Sequence, residues 1–367
     1  MWFRKPFAPF VFLLSVLVAC TSPTAAPATV TSVSQGEAPR IIPLHVGYGV
    51  RGPWYELYFT DPANPSASQE SGGPDMPLVE AIDAARVSVD VAAYSLSLTS
   101  VRDALLRAYD RGVAVRVVME SDARDNAAPQ RLIRAGIPVL GDRREGLMHD
   151  KFVIIDRSEV WTGSMNFTFS GAYHDNNNLI RIRSTRLAED YLTEFNEMFI
   201  EDHFGEDGST KTPYPHLTID GTPIEVYFSP DDGVEDRLKD LLSEAQESIF
   251  FLAYSFTSDA LGEVIREQAG AGVSVMGVMD ADQVNSNIGT EYDPFRQIGL
   301  DVRLDGNDGL MHHKVIIIDE QIVVTGSYNF SRSAEERNDE NVLILFDPQI
   351  AQQYLQEFWR VYRFAQP

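Results

Sequence analysis

The segment Met148-His149-Asp150-Lys151-Phe152-Val153-Ile154-Ile155-Asp156 returns as Met311-His312-His313-Lys314-Val315-Ile316-Ile317-Ile318-Asp319. After six intervening residues comes Gly163-Ser164-Met165-Asn166 in the first copy and Gly326-Ser327-Tyr328-Asn329 in the second. Each copy offers an imidazole, an ammonium, a hydroxyl and an amide. Together they suit a phosphodiester: lysine as a point charge, serine and asparagine as neutral donors, histidine as nucleophile or acid. No H-E-x-x-H pattern or cysteine cluster points to a metal, and adjacent strand residues such as His312 and His313 point to opposite faces. The chemistry read here calls on no metal and no cofactor.

The apolar runs after Lys151 and Lys314 predict buried strands. On such a strand the histidine and lysine share a face, whereas Asp156 and Asp319 fall on the other parity and close it, as structural anchors. Around the motifs, strands alternate with amphipathic helices in the same order twice. Val87 to Ser95 precedes the helix Thr99 to Asp110, then the strand Val113 to Met119. Ser248 to Phe256, Leu261 to Gln268 and Val273 to Met279 repeat that order, so the self-similarity extends well beyond the motifs. Two helices with apolar positions at helical spacing, Leu187 to Phe199 and Pro348 to Tyr362, close the repeats as packing elements. Alternating strands and helices predict an α/β fold with mixed or parallel sheets covered by helices.

The doubled H-x-K-x4-D-x6-G-S-x-N pattern resembles the phospholipase D superfamily, over roughly residues 45 to 363. The resemblance implies two α/β halves of that type, related by an approximate two-fold axis, with one active site at the seam. It implies that one histidine of His149 and His312 forms a phosphohistidine while the other protonates the leaving alcohol. Lys151, Lys314, Asn166 and Asn329 then hold the phosphoryl oxygens, with Ser164 and Ser327 as secondary donors. In that family an acid or amide further along often bonds the catalytic imidazole. Glu340 stands 28 residues after His312, and Asn177 the same 28 after His149. The expectation is that each serves the histidine of its own repeat. A carboxylate at His312 favours its protonated form, which makes His312 the general acid and His149 the nucleophile. Tyr94 and Tyr254 follow matching strands and are candidates for the cleft or for the core. Arg143, Arg144 and Arg337 are candidates for meeting an anionic substrate, and His313 is expected part-exposed on the far face.

Composition bounds the rest. The 367 residues are 44% hydrophobic and 23% charged, a globular balance, with a formal net charge of −24. Such an acidic surface repels polyanions and argues against long duplex nucleic acid as substrate. Residues 1–19 carry Arg4 and Lys5 before a short apolar run ending in Leu17-Val18-Ala19-Cys20. This resembles a bacterial lipoprotein signal, which implies cleavage before Cys20 and a lipid on its thiol. Cys20 is the only cysteine, so no intrachain disulfide is possible. Residues 20–44 are read as a disordered tether, 45–204 as the first repeat, 205–222 as a connector and 223–367 as the second repeat. The expected protein is an exported, lipid-anchored monomer that hydrolyses phospholipids at a membrane. An extracellular nuclease and a phosphatidyl transferase stand as alternatives.

Overall fold

A computed structural model describes residues 1–3, 38–208 and 211–366. Most of the proposed signal, Cys20 and most of the tether lie outside the described residues. In the body from Glu37 onward the chain folds as two mixed sheets, each built around one copy of the motif.

The first sheet contains β1 (Arg40–Pro43), β2 (Tyr48–Arg51), β3 (Tyr55–Phe59), β4 (Ser88–Ala93), β5 (Ala114–Met119), β6 (Val139–Gly141), β7 (Lys151–Ile155), β8 (Glu159–Gly163) and β9 (Asn178–Arg183). Their spatial order is β1-β2-β3-β9-β8-β7-β4-β5-β6. The second contains β10 (His216–Ile219), β11 (Thr222–Ser229), β12 (Ser248–Ala253), β13 (Ser274–Met279), β14 (Asp301–Leu304), β15 (Lys314–Ile318), β16 (Ile322–Gly326) and β17 (Glu340–Phe346), in the order β10-β11-β17-β16-β15-β12-β13-β14. In both sheets the motif strand lies centrally, antiparallel to its neighbours, and the three strands at one edge run parallel. Parallel neighbours need a crossover, and the helices Thr99–Asp110 and Asp259–Ala271 supply it. The first buries Val101, Ala104, Leu105 and Ala108, one stripe at helical spacing.

Two boundaries move. Arg40–Pro43 pairs with Tyr48–Arg51, so the tether as read from sequence gives up its last residues to an edge strand. The segment read as a connector likewise contains β10, which pairs with β11. Both strands are short and lie at sheet edges, where little alternation distinguishes them from loop.

The halves meet through the two late helices. Tyr191, on Thr185–Asn196, packs edge-on against Phe228 of β11 at 5.1 Å. Tyr354, on Pro348–Tyr362, does the same against Phe59 of β3 at 5.2 Å. Each helix thus reaches across to the other repeat. One hydrophobic core runs through the seam, from Leu57 and Phe59 to Leu252, Ile317 and Leu343. The outer face of the second sheet carries its own cluster around Phe251, Phe256 and Phe295.

Candidate active site

Each motif histidine sits just before the central strand, where the chain leaves one repeat and touches the other. The parallel bridges Met148↔Asp339 and Asn176↔Met311 join the repeats at these two points. His149 N–H donates to the Asp339 carbonyl and His312 N–H to the Asn176 carbonyl, each at 3.0 Å. This zipper places the residue after Asp339 beside His149 and the residue after Asn176 beside His312.

The consequence overturns the pairing expected from sequence. Glu340 Oε2 stands 2.7 Å from His149 Nδ1, across the repeats. Asn177 Oδ1 stands 2.9 Å from His312 Nδ1, which also lies 3.1 Å from the Ser164 carbonyl. The interval of 28 residues is real, but the exchange of segments at the seam sends each partner to the other repeat's histidine. All partners of His312 Nδ1 are acceptors, so that nitrogen carries a proton. Neither Nε2 has a partner among the described residues, which leaves both free for chemistry.

Lys151 donates to the His149 carbonyl and Lys314 to that of His312, the latter at 2.8 Å. Both lysines are about 99% buried and neither is in an ion pair among the described residues. Burial lowers both; Lys151 falls to about 8 despite the carboxylates Glu340 and Asp150, and the Lys151 charge lowers Lys314 further. Two buried cations that repel each other create a site for an anion. Burial, followed by these lysines, also holds both imidazoles well below their ordinary value. Burial lifts Glu340 to about 7, against the pull of Lys151. The Asn166 and Asn329 side chains make no hydrogen bond among the described residues, and each Oδ1 is buried without a partner.

Ser164 and Ser327 do not serve as expected. The Ser164 hydroxyl donates to Asn177 Oδ1 at 2.8 Å and accepts from Asn178 N–H. Ser327 accepts from Asn341 N–H and helps hold the Glu340 carboxylate. Both serines orient the partners of the imidazoles instead of facing a substrate. The glycines before them stand at φ 147° and 149°. A Cβ on Gly163 would lie 2.5 Å from the Asn178 carbonyl oxygen, so no other residue fits there.

Asp156 accepts from the backbone N–H groups of Arg86, Val87 and Ser88, and Asp319 from those of Gln246, Glu247 and Ser248. They tie the motif hairpins to the start of β4 and β12, away from the imidazoles.

His313 is not part-exposed on the far face. It is fully buried, accepting from Asn178 Nδ2 at 3.1 Å and donating to Glu357 Oε1 at 2.8 Å, because the helix Pro348–Tyr362 covers that face. Its mate Asp150 accepts from Asn341 Nδ2 at 2.6 Å. This layer beneath the site had one sequence signal: Asp150 and His313, like Asn178 and Asn341, occupy matching repeat positions. Arg143 and Arg337 pair with Asp202 and Glu145, and Arg144 with Asp207, so these arginines bind the protein's own acids.

Tyr94 and Tyr254 belong to the site. Their rings lie 4.8 Å from His149 and 4.7 Å from His312, and the two lysine ammoniums approach the same rings at 5.0 and 4.6 Å.

The family model described as "Cardiolipin synthase, PLD-like domain" matches residues 78–199 and 238–362, one stretch in each repeat. The chain belongs to the phospholipase D superfamily. Its similarity to a "Phospholipase D" of Rickettsia typhi is 33% identity over 136 residues, 37% of this chain and 66% of that protein. To a "Mitochondrial cardiolipin hydrolase" of Chlamydomonas reinhardtii it is 36% over 122 residues, 33% of this chain and 54% of the relative. The chain therefore spans between half and two thirds of the length of these relatives. The crystal structure of a phosphatidylserine synthase from Haemophilus influenzae superposes with a TM-score of 0.64 at 14% identity, covering 84% of this chain and 86% of that one. At that identity the likeness speaks for the phospholipase D fold across both repeats.

Proposed function

We propose that this superfamily member is a phosphodiesterase that hydrolyses phospholipids to phosphatidic acid and a free head group. The observation that carries the reading is a pair of buried lysines, in no ion pair among the described residues, beside two imidazoles whose Nε2 atoms have no partner among them. The names of the relatives, phospholipase D and cardiolipin hydrolase, favour a lipid phosphodiester.

His149 Nε2 attacks phosphorus, and the bond to the head-group oxygen breaks. His312 Nε2 delivers its proton to that oxygen, so the alcohol leaves neutral. Phosphorylated His149 is an imidazolium, and Glu340 beside Nδ1 stabilises that cation. The observed pairing thus supports His149 as nucleophile for the reverse of the reason expected from sequence. His312 then takes a proton from water, the water oxygen bonds phosphorus, and the phosphorus–Nε2 bond breaks. Lys151, Lys314, Asn166 and Asn329 hold the phosphoryl oxygens, and the lysine charges do the work a metal does elsewhere.

A form beginning at Thr21, assayed in chelator, releases phosphatidic acid from phospholipid vesicles. His149→Ala and His312→Ala both abolish release, and phosphoenzyme trapped by an alkaline denaturing quench carries its label on His149. Cleavage of single- or double-stranded DNA without lipid turnover would replace this reading with the nuclease. The reading also makes the protein a monomer, since one chain completes the site. Cys20 would carry the lipid that holds it at a membrane, which labelled fatty acid incorporated by the native chain and lost in Cys20→Ala would test.

A further inference from the structure

The lysines account for the phosphate but not for the alcohol that leaves it. Tyr94 and Tyr254 follow the last residues of β4 and β12, and their N–H groups donate to the Asp150 and His313 carbonyls at 3.0 and 2.8 Å. These bonds fix the rings over the imidazoles while leaving them part-exposed. The two hydroxyls have no hydrogen-bond partner among the described residues.

Besides the imidazole and lysine that contact each ring, acids surround them. Glu120, Asp122 and Glu340 bear on Tyr94, and Asp280, Asp175 and Asp282 on Tyr254. Glu120, Asp280 and Asp175 are buried and committed to backbone N–H groups. Asp122 and Asp282 are exposed and make no side-chain hydrogen bond or ion pair among the described residues. They open matching turns after β5 and β13. The cations in contact with the rings are Lys151 and Lys314, which the phosphate occupies.

We propose that Tyr94, Tyr254, Asp122 and Asp282 form a head-group vestibule selecting phosphodiesters whose leaving alcohol carries an ammonium or quaternary ammonium group. Aromatic faces attract such a cation and free carboxylates add charge, whereas a second phosphate or an uncharged polyol gains neither. The proposal rests on the phospholipid reading and names the class of head group within it.

The test uses monomeric short-chain lipids, which removes vesicle charge from the comparison. Dihexanoyl phosphatidylcholine, phosphatidylethanolamine and phosphatidylglycerol are compared by kcat/KM for phosphatidic acid release. The expected preference for choline and ethanolamine over glycerol is about tenfold, carried mainly in KM. In the Asp122→Asn/Asp282→Asn double variant the choline-to-glycerol ratio falls at least about threefold. Tyr94→Phe and Tyr254→Phe keep the ratio, since the ring is retained, and the Leu variants lose it. Equal or reversed preference in the unaltered protein overturns the vestibule while leaving the phospholipase intact. So does a preference that survives Asp122→Asn/Asp282→Asn, exposed changes that leave the fold unaffected even if the Leu variants unfold. Absence of any lipid turnover alongside DNA cleavage overturns the phospholipid reading, and the vestibule with it.

Discussion

At the two imidazoles the repeats differ by one side chain, a carboxylate against an amide, and the difference has a pH consequence. Among the described residues no carboxylate bonds His312 Nδ1, and burial followed by the lysines disfavours its cation, so its proton is lost early. As general acid it must be protonated. With both pKa values lowered, kcat/KM is therefore bell-shaped: it falls at low pH, where the attacking His149 is protonated, and falls again as pH rises through a value for His312 below the ordinary 6.5 of histidine. Asn177→Asp places a carboxylate at Nδ1, favours the cation, and moves the descending limb to higher pH by about 1 unit. A limb that stays in place would show that it belongs to another group. Glu340→Gln keeps the shape of the contact but removes the charge that stabilises phosphorylated His149, and should cost about 10²- to 10⁴-fold in kcat. Trapped with an alkaline denaturing quench, that variant shows slower phosphoenzyme formation, not faster breakdown.

Among the elements, the motif hairpins rest on the two aspartates. Asp156 and Arg157 both have positive φ, near 52° and 53°, as do Asp319 and Glu320, so each hairpin turns through two left-handed residues. Asp156→Ala removes the acceptor for three backbone N–H groups and should destabilise the fold by about 1.5–3 kcal/mol in urea unfolding, with kcat per folded molecule little changed. A collapse of kcat at unchanged stability would place Asp156 in the chemistry. That structural role was legible from strand parity, the repeat from self-similarity, the central strands from their apolar runs and the late helices from helical spacing. The pairing of Glu340 was not. Its interval from His312 is local information, whereas its neighbour is set by Asp339 bridging to Met148 of the other repeat, a contact no spacing encodes. The burial of His313 escaped for a related reason, because parity tells which face a side chain takes but not whether a helix covers it. The two tyrosines could be placed beside the motifs, but their contact with lysine and histidine depends on the twist that brings β4 and β7 together.

For the molecule as a whole, charge and catalytic site pull in opposite directions. The formal net charge is −24, and the arginines near the motif loops are already paired with acids, while the buried lysines draw a phosphate inward. Long-range repulsion therefore governs approach and short-range attraction governs capture. Raising ionic strength from about 0.01 to 0.15 M shortens the screening length from about 30 to 8 Å, which weakens the first and hardly touches the second. Turnover of phosphatidylglycerol vesicles by the form beginning at Thr21 should therefore rise over that range, through a lower apparent KM at constant kcat. Net-neutral phosphatidylcholine vesicles should show little change. A protein that meets polyanions through a basic groove behaves in the opposite way, since counterions released on binding make its affinity fall steeply with salt. Measured on both vesicles and on DNA, the sign of the salt dependence separates the two families of substrate without any mutation. A steep fall on DNA would reveal a local basic path strong enough to overcome the acidic body, and would move the substrate from lipid to nucleic acid.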